Sequence, residues 1–393
     1  MSTFQPVKIK SVCEKVASGG TTSRKRADYF TNMGGHLWVK SKELLEKGIA
    51  DTEEKITKEG LQNSSAKLYP ANTVLVAMYG VNAGQLGWLE RPATVNQAIC
   101  ALVINPKRAD WRFVYYSLLQ SRQNLISQAR GGAQPNLNKE MVENFEISMT
   151  SDLPTQTRIA SVLSAYDDLI ENNEKRIKAL EEMAELLYTE WFVKFKFPGH
   201  EKIKLVDSGT SYGKIPEGWK IKKFAEIFDI KYGKNLPTSK INDTGKYKVY
   251  GAGGVIGYYD QKNIETKTSL VTCRGNGSGT VWRTSGEGFV TNNAFTINGK
   301  ENFIVFEFIF NTLKNCNINS SISGSAQPQI TIENINFVQL LIPPKDLVCE
   351  YVNQVKNNYV LSDELRNNNQ NLSNIRDLLI PQLVTGKREL KNI

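Results

Sequence analysis

Residues 154–191 read PTQTRIASVLSAYDDLIENNEKRIKALEEMAELLYTEW, the first of two long helical stretches in the chain. Its apolar residues follow one another in alternating steps of four and three, which is the spacing of a coiled-coil seam. Pro154 suits the first turn of a helix, and no residue after it would break one. The stretch therefore predicts a helix of about 55 Å, at roughly 1.5 Å per residue. The seam consists of Ile159, Leu163, Tyr166, Ile170, Asn173, Ile177, Leu180, Ala184, Leu187 and Trp191.

A second stretch with the same spacing lies near the C-terminus and supplies a partner for the first. Its seam consists of Leu361, Leu365, Asn368, Leu372, Ile375 and Leu379. Asn173 and Asn368 lie at matching places, and amides at core positions fix the register of a coiled coil while weakening it. We expect a helix from Lys345 to Ile380, ending before Pro381, that packs antiparallel to the first. The alternative is that both are ordinary exposed asparagines.

Length and composition bound the class of protein. A chain of 393 residues is too long for one core and fits two or three domains. The net charge of +9 and the pI near 9.1 favour a polyanionic partner. No apolar run approaches the ~18 residues of a membrane span, and the N-terminus lacks the blocks of a signal peptide, so we expect a cytoplasmic protein without a membrane partner. The five cysteines are scattered without a CxxC pair, which predicts reduced thiols rather than a zinc site.

The two halves of the chain repeat one another. The matching segments are GAQP at 132–135 with SAQP at 325–328, YGVNAG at 79–84 with RGNGSG at 274–279, and NQA at 96–98 with NNA at 292–294. Their offsets lie between about 190 and 196, so each half is one globular unit followed by one long helix. We therefore expect an α/β (α+β) fold of two globular domains in a pseudo-two-fold arrangement, joined by two long helices in an antiparallel coiled coil.

Composition and spacing divide the chain as follows. Short apolar alternations at Thr73–Met78 and Ile99–Ile104 predict strands, and helical spacing appears at 41–47 and 111–130. The segment after the first long helix is rich in Pro, Gly, Lys and Ser, which favours a linker. The predicted parts are a first domain at 1–152, a long helix at 153–195, a linker at 196–219, a second domain at 220–343, and a second long helix with the tail at 344–393.

The motifs in combination resemble the specificity subunit of type I restriction-modification systems, over essentially the whole chain. Segments similar to its target recognition domains are SGGT at 18–21, LWVKS at 37–41, TEEKIT at 52–57 with NSSAK at 63–67, VNQA at 95–98, KYKVYGA at 246–252, IGYYD at 256–260 and TNNAF at 291–295. Segments similar to its conserved regions are LPTQTRIA at 153–160, EWFV at 190–193, GKIPEGW at 213–219 and RDLLIP at 376–381.

The resemblance implies a non-catalytic subunit that binds double-stranded DNA and reads a bipartite target, one half by each recognition domain. It implies two methyltransferase subunits, which methylate adenine with S-adenosylmethionine, and two restriction subunits driven by ATP in the full complex. S-adenosylmethionine, ATP and Mg²⁺ would be bound by these partners, so no cofactor is expected in this chain. The helices would set the spacer and dock the methyltransferase subunits through their charged outer faces, for which the alternative is a merely solvated face.

Affinity for DNA should come from cations at phosphates, and sequence choice from amides and arginines at base edges. The candidates in the first domain are Arg24, Lys25, Arg26, Tyr29, Lys40, Ser41, Gln85, Asn96 and Gln134. Those in the second domain are Lys231, Lys234, Lys240, Arg274, Asn276, Arg283, Asn292, Asn293 and Gln327. We expect Arg274 to matter more than its counterpart Tyr79, because an arginine can pair bidentately with guanine. Each cation taken alone is more often plain surface, and the amides could instead cap turns.

Enzymatic alternatives find little support. An adenine methyltransferase needs a motif of Asn or Asp, Pro, Pro, and Tyr or Phe, but Pro343-Pro344 is followed by Lys345. The nearest carboxylate group for a nuclease metal, at 51–54, lies in a charged segment, and His36 and His200 have no partner at a metal-binding spacing, so no metal is expected. The remaining alternative is an inhibitory or scaffold protein that binds methyltransferase subunits without directing them. The salt dependence of DNA binding would distinguish this alternative from a DNA-reading subunit.

Overall fold

The computed structural model describes residues 3–129, 136–324 and 327–390. The chain separates into two compact units: unit 1 is Met1–Asn172 with Asn368–Ile393, and unit 2 is Asn173–Asn367. Each unit combines mixed sheets with short helices and a portion of both long helices. The predicted mixed fold with two long helices is confirmed, whereas the domain boundaries drawn from sequence stay a prediction.

Unit 1 begins with the following elements: β1 Phe4–Lys8, α1 Ile9–Val12, β2 Cys13–Ser18, β3 Phe30–Thr31, β4 His36–Val39, β5 Gly48–Ile49, β6 Lys55–Ile56, α2 Lys58–Gln62, β7 Leu68–Tyr69, β8 Val74–Ala77, β9 Leu86–Leu89, β10 Ala93–Val95, β11 Ile99–Ile104, α3 Trp111–Ser127, α4 Lys139–Asn144 and β12 Glu146–Thr150. The long helix α5 spans Leu153–Tyr188 and continues as a π turn at Thr189–Val193.

Unit 2 contains the following elements: β13 Leu205–Asp207, β14 Lys214–Pro216, β15 Lys220–Lys223, α6 Phe224–Ile227, β16 Phe228–Tyr232, β17 Tyr247–Tyr250, β18 Val255–Tyr259, β19 Ser269–Thr272, β20 Val281–Arg283, β21 Gly288–Val290, β22 Ala294–Gly299, α7 Phe306–Asn315, β23 Ile322–Ser323, β24 Gln329–Ile330, α8 Ile332–Ile335 and β25 Gln339–Ile342. The second long helix, α9, spans Lys345–Leu383.

The strand pairing repeats between the units, which confirms the internal repeat. In unit 1 the main sheet has the order β2-β11-β8-β9-β5, and in unit 2 it has the order β16-β22-β19-β20. A second sheet contains the parallel pair β4 and β10 in unit 1 and the parallel pair β17 and β21 in unit 2. The outer pairs β1-β12 and β15-β25 lead into α5 and α9 respectively. Both halves therefore fold with one topology.

The strands predicted at 73–78 and 99–104 are confirmed as β8 and β11, although their sequences are continuous apolar runs rather than the expected alternations. In β8, Val74 and Val76 pack into one core of unit 1, while Leu75 and Ala77 pack into another. A strand buried on both faces reads as a continuous apolar run rather than an alternating one. The helix predicted at 111–130 is confirmed over Trp111–Ser127 as α3, whose first amides are capped by the Asp110 carboxylate, and residue 130 lies outside the described residues.

Two local predictions are corrected. The helix predicted at 41–47 is only a 3-10 turn at Ser41–Glu43, because the chain turns at Glu46, whose φ is +58°. The segment predicted as a linker is folded: β13 pairs with β14, and Phe197 and Trp219 are buried in the core of unit 2. Pro and Gly mark turns here rather than an unstructured connection.

The two long helices run antiparallel within each unit. In unit 1, Asn369 of α9 donates its side-chain amide to the carbonyl of Ile170, and Arg376 lies 2.5 Å from Asp167. Along this contact the residue numbers fall in α5 while they rise in α9, so the two helices run in opposite directions. The helices are also antiparallel in unit 2. The side-chain amide of Asn358 donates to the carbonyl of Leu180, and the hydroxyl of Tyr351 donates to the carbonyl of Ala184.

The α5 seam lies where it was predicted, whereas the α9 seam is confirmed only in part. Every one of the ten predicted α5 positions is buried or half-buried, including Asn173 at 4% exposure. In α9, Asn368 is exposed, and the neighbouring Asn369 makes the interhelical hydrogen bond instead. Leu365 of the predicted seam is buried, and Leu361, Leu372 and Leu379 are half-buried, but Ile375 is exposed. The buried Ser362 and Ile380 lie one residue after predicted positions. The helix also continues through Pro381 to Leu383, because a proline in the last turn removes only one hydrogen bond.

Candidate nucleic-acid interface

Backbone hydrogen bonds bring several predicted DNA-binding residues of unit 2 together at one edge. The amide of Cys273 donates to the carbonyl of Asn293 (2.9 Å), and the amide of Gly275 donates to the carbonyl of Pro328 (2.9 Å). The amide of Lys234 donates to the carbonyl of Val290 (2.9 Å), next to the same loop. We call the exposed side chains along these loops the unit 2 edge; they are Lys234, Arg274, Asn276, Asn293 and Gln327.

The unit 2 edge has cations that are not neutralised locally. In the described ranges, neither Lys234 nor Arg274 has a carboxylate within ion-pair distance. Lys231, by contrast, lies 2.7 Å from Asp229, and Lys240 is exposed on a separate turn. Two unpaired cations beside exposed amides can contact both phosphates and base edges.

A glycine in each unit holds the edge loop against the main sheet. A Cβ on Gly233 would lie 2.1 Å from the carbonyl oxygen of Thr291, and one on Gly19 would lie 2.1 Å from that of Asn96. Only glycine permits this approach of two backbones. The equivalence also corrects the alignment of the repeat by one residue, since Asn96 corresponds to Thr291 rather than to Asn292.

Unit 1 has the same backbone at this place but different side chains. The amide of Met78 donates to the carbonyl of Ala98 (2.7 Å), as Cys273 does to Asn293. Tyr79, at the position of Arg274, is 43% exposed. We call the loops at 79–82 and 96–98 the unit 1 edge; Gln134 lies outside the described residues.

Two amides on this side of unit 1 are engaged within the protein. The side-chain oxygen of Asn96 accepts from the amide of Ala98 (3.2 Å), which makes it a turn cap. Gln85 is half-buried, with its oxygen 3.5 Å from the guanidinium of Arg122. Gln97 is exposed at this edge and was not among the predicted contacts, although the unit 2 residue matched to it in the repeat was.

The basic loop of unit 1 is neutralised by carboxylates. Arg24 lies 2.8 Å from Glu54 and stacks on Trp38 at 5.0 Å, while Lys40 lies 2.9 Å from Glu53. The hydrogen bond from Arg24 lowers the pKa of Glu54, and hydrogen bonds from Lys42 and Lys40 lower that of Glu53 to about 2. Ion pairs therefore weaken the field that this loop presents to phosphates.

The remaining candidates of this loop differ in exposure. Arg26 forms a two-point contact with Asp28 and stacks on Tyr29, which is itself buried. Lys25 is exposed and Ser41 is half-buried. Of the loop's residues, Lys25 is the best placed to reach a phosphate.

Arg283 does not lie at the unit 2 edge. Its side chain is 8% exposed, and its guanidinium lies 2.8 Å from Glu181 and 2.5 Å from Asp363. Burial opposes the charge of Arg283, yet the two carboxylates keep its pKa raised. A contact with DNA is therefore not available to this arginine, which holds β20 against the two long helices of unit 2. Asn292 is half-buried, and its carbonyl faces the thiol of Cys273.

The described residues provide neither a metal-binding cluster nor a membrane-spanning helix. Among the described residues, no group of three His, Cys, Asp or Glu side chains could hold a metal ion. Over the same residues, no helix combines the length and apolar character needed to cross a membrane.

Comparison with known proteins gives a consistent result. The family described as type I restriction modification DNA specificity domain matches residues 1–182 and 216–375. The MjaIX type I restriction enzyme specificity subunit of Methanocaldococcus jannaschii is 25% identical, over 98% of this chain and 94% of its own. The HindI specificity subunit of Haemophilus influenzae is 22% identical, over 67% of this chain and 73% of its own. A crystal structure of the S subunit from Mycoplasma genitalium has the same fold, with a TM-score of 0.62 at 20% identity over 100% of this chain and 97% of its own.

Proposed function

Because the chain belongs to the family of type I restriction-modification DNA specificity domains, which makes it a specificity subunit, we propose that each of its two units reads one half of a bipartite DNA target. The observation that carries this proposal is the unit 2 edge, where Lys234 and Arg274 stand unpaired beside exposed amides. The unit 1 edge presents Tyr79 and Gln97 on an equivalent backbone. Two edges with one backbone and different side chains suit two different half-sites.

The chemistry would reside in other subunits of the complex. We propose that methyltransferase subunits bind S-adenosylmethionine and methylate adenine, that restriction subunits use ATP and Mg²⁺, and that this chain only directs them. Two copies of each would assemble in the cytoplasm. The exposed charged faces of α5 and α9 would dock the methyltransferase subunits, and the length of these helices would set the spacer between half-sites.

The experiment that tests the proposal is a map of methylated adenines in the genome of the source strain with and without this gene. We expect one split motif to lose its methylation when the gene is deleted. An unchanged map would contradict the proposal and would fit a silent or inhibitory chain.

A residue-level test compares Arg274→Ala with Lys231→Ala. If Arg274 pairs with guanine, its loss should reduce discrimination at one base pair by roughly 5- to 150-fold, which corresponds to about 1–3 kcal/mol. Lys231 is exposed but paired with Asp229, so its loss should leave discrimination unchanged. Unchanged methylation of the full target by Arg274→Ala would sink the base-reading role, and an equal loss on all sequences would assign Arg274 to a phosphate instead.

The spacer is tested by deleting one heptad from both α5 and α9, which keeps the helices paired. We expect methylation to move to a motif with a shorter spacer or to be abolished. Methylation of the original motif at full level would overturn the proposal that the helices set the spacer.

A further inference from the structure

The unit 1 edge carries an apolar side chain at the tip of a loop. Val81 is 93% exposed, more than any other large apolar side chain that the structure describes. It lies in a 3-10 turn at Gly80–Asn82, two residues after Tyr79, which is 43% exposed. A single exposed valine on an ordinary surface needs no explanation, but this one lies on an edge that we propose to read DNA. There it suits a base rather than a phosphate, because a phosphate offers no apolar partner.

Unit 2 has a loop with the same backbone at the equivalent place, since three hydrogen bonds within the loop at 77–85 recur within the loop at 272–280. In unit 1 the amides donate from Ala83 to the carbonyl of Gly80 (3.0 Å), from Gly84 to that of Ala77 (2.8 Å), and from Gln85 to that of Asn82 (2.9 Å). In unit 2 they donate from Ser278 to the carbonyl of Gly275 (2.9 Å), from Gly279 to that of Thr272 (2.9 Å), and from Thr280 to that of Gly277 (3.0 Å). Val81 therefore corresponds to Asn276, as Tyr79 corresponds to Arg274.

Matching glycines fix the course of both loops. Gly80 and Gly84 have φ angles of +72° and +81°, and their counterparts Gly275 and Gly279 have φ angles of +84° and +90°. This left-handed conformation favours glycine, because it has no Cβ. The residue at the tip of each loop is thus presented by a backbone of one defined shape. What differs between the units is the chemistry of the side chain at that place.

The two loops present opposite kinds of side chain. The unit 1 loop, YGVNAG at 79–84, contains no charged residue, and its exposed side chains are those of Tyr79 and Val81. The unit 2 loop, RGNGSG at 274–279, exposes the guanidinium of Arg274 and the amide of Asn276. An asparagine amide can form hydrogen bonds with the edge of an adenine, whereas a valine can make only apolar contacts.

Thymine is the base that offers an apolar group in the major groove. Its C5-methyl group distinguishes it from cytosine and from the purines, and apolar side chains are suited to contact that group. Removal of one methyl group from water contributes roughly fourfold to an affinity. An exposed valine on a loop of fixed shape can therefore select thymine without any hydrogen bond.

We propose that Val81 reads a thymine through its C5-methyl group in the half-site of unit 1, whereas Asn276 at the equivalent place in unit 2 reads a base by hydrogen bonds. The inference rests on the proposed reading of half-sites by the unit edges, and it adds the chemical feature that unit 1 selects. Val81 is thereby a specificity-determining residue of unit 1.

The first experiment measures how the full chain, assembled with its methyltransferase subunits, binds duplexes that carry the split motif found by the methylation map. Each thymine of the motif is replaced in turn by deoxyuridine, which lacks only the C5-methyl group. At one position of one half-site, we expect deoxyuridine to weaken binding by roughly fourfold. At that position the Val81→Ala chain should bind the thymine and deoxyuridine duplexes equally. If Val81→Ala distinguishes the two at every position as well as the unaltered chain does, the proposal is wrong.

Three further variants show whether the methyl groups of Val81 carry the effect. Val81→Thr keeps one methyl group and should retain part of the preference for thymine, while Val81→Asn, which copies unit 2, should lose it. Val206→Ala is the control, because Val206 is an exposed valine of β13 outside both edges, and it should keep the full preference. Full preference in Val81→Asn, or its loss in the control, would contradict the assignment.

A thermal unfolding measurement separates recognition from a structural role. Because Val81 is exposed, Val81→Ala and Val81→Asn should unfold at the temperature of the unaltered chain. A lowered unfolding temperature with an equal loss of binding to every duplex would assign Val81 to the scaffold and overturn the proposal. The reading of half-sites fails separately: a methylation map without a split motif contradicts it, whereas a motif in which no thymine depends on Val81 contradicts only the thymine contact.

Discussion

Replacing Arg283 by methionine tests whether unit 2 depends on a buried ionic contact between its sheet and its helices. The guanidinium donates to Glu181 at 2.8 and 3.2 Å, to Asp363 at 2.5 Å and to the hydroxyl of Ser362 at 2.7 Å. Methionine keeps most of the side-chain volume and removes all four hydrogen bonds. The substitution thus isolates the ionic contribution from packing.

The expected cost follows from what remains after the substitution. Removing one partner of a fully buried ion pair costs about 3–5 kcal/mol, because a charge is left uncompensated. Here Arg366 stays 2.9 Å from Glu181, and the ammonium of Lys267 stays 2.5 Å from Asp363. Glu181 also keeps 29% of its side chain in solvent. We therefore expect Arg283→Met to destabilise unit 2 by about 2–3 kcal/mol, below the fully buried limit.

Glu181 determines in which direction the stability contributed by this ionic contact changes with pH. Burial opposes its charged form, but Arg283 and then Arg366 outweigh this, so its pKa is lowered in the folded chain. A group with a lowered folded pKa stabilises fully above its unfolded pKa and loses that contribution as pH falls through the folded value. The difference in unfolding free energy between the unaltered chain and Arg283→Met should therefore be largest at neutral pH and should shrink below about pH 4.3.

The assay is urea unfolding combined with hydrogen exchange of the β19 and β20 amides, because two units need not unfold in one transition. The control is Lys178→Met, whose ion pair with Glu182 is 3.7 Å long and exposed on both sides. Such a surface pair contributes about 0.3–0.5 kcal/mol. If Arg283→Met lowers the unfolding free energy no more than the control does, the buried ionic contact does not stabilise unit 2 as expected.

Two further predictions compare neighbouring or matched positions. Asn369→Ala should destabilise unit 1 by about 1 kcal/mol through the lost interhelical hydrogen bond, while Asn368→Ala, at an exposed position, should change the urea midpoint little. Gly19→Ala should cost about 1–3 kcal/mol in thermal unfolding, since its Cβ would lie 2.1 Å from a carbonyl oxygen. Gly253→Ala is the control, because its Cβ would meet nothing within 4 Å. Equal effects of the two substitutions in either pair would contradict the structural role given to Asn369 or to Gly19.

The sequence predicted the first long helix better than the second, for a physical reason. The α5 seam is apolar at nearly every step, so its periodicity points to one face. The inward face of α9 also contains the buried Ser362 and the half-buried Asn369 and Arg376, which are satisfied by hydrogen bonds and ion pairs in the folded chain. A periodicity of apolar residues cannot find polar residues that are buried because their partners come from distant elements.

The same limit applies to Arg283. As a cation in a strand-rich half of a basic chain, it had the sequence features of a DNA contact. Its partners, Glu181 and Asp363, lie about 100 and 80 positions away, on the two long helices. Sequence spacing carries no signal for such a contact, whereas Arg274 stands beside glycines in a repeated loop that could be recognised.

The repeat separates what the fold requires from what recognition requires. Gly19 and Gly233 make the same close approach, and the amides of the edge loops donate to equivalent carbonyls. The side chains carried on this common backbone differ, as Tyr79 and Arg274 do. Residues that the backbone needs are constrained by close contact, while residues pointing to solvent are not, so a duplicated scaffold can change its base contacts without changing its fold. If the unit edges read DNA, exchanging the residues at 79 and 274 should alter the half-sites and leave both units folded; loss of folding would mean that these positions serve the scaffold.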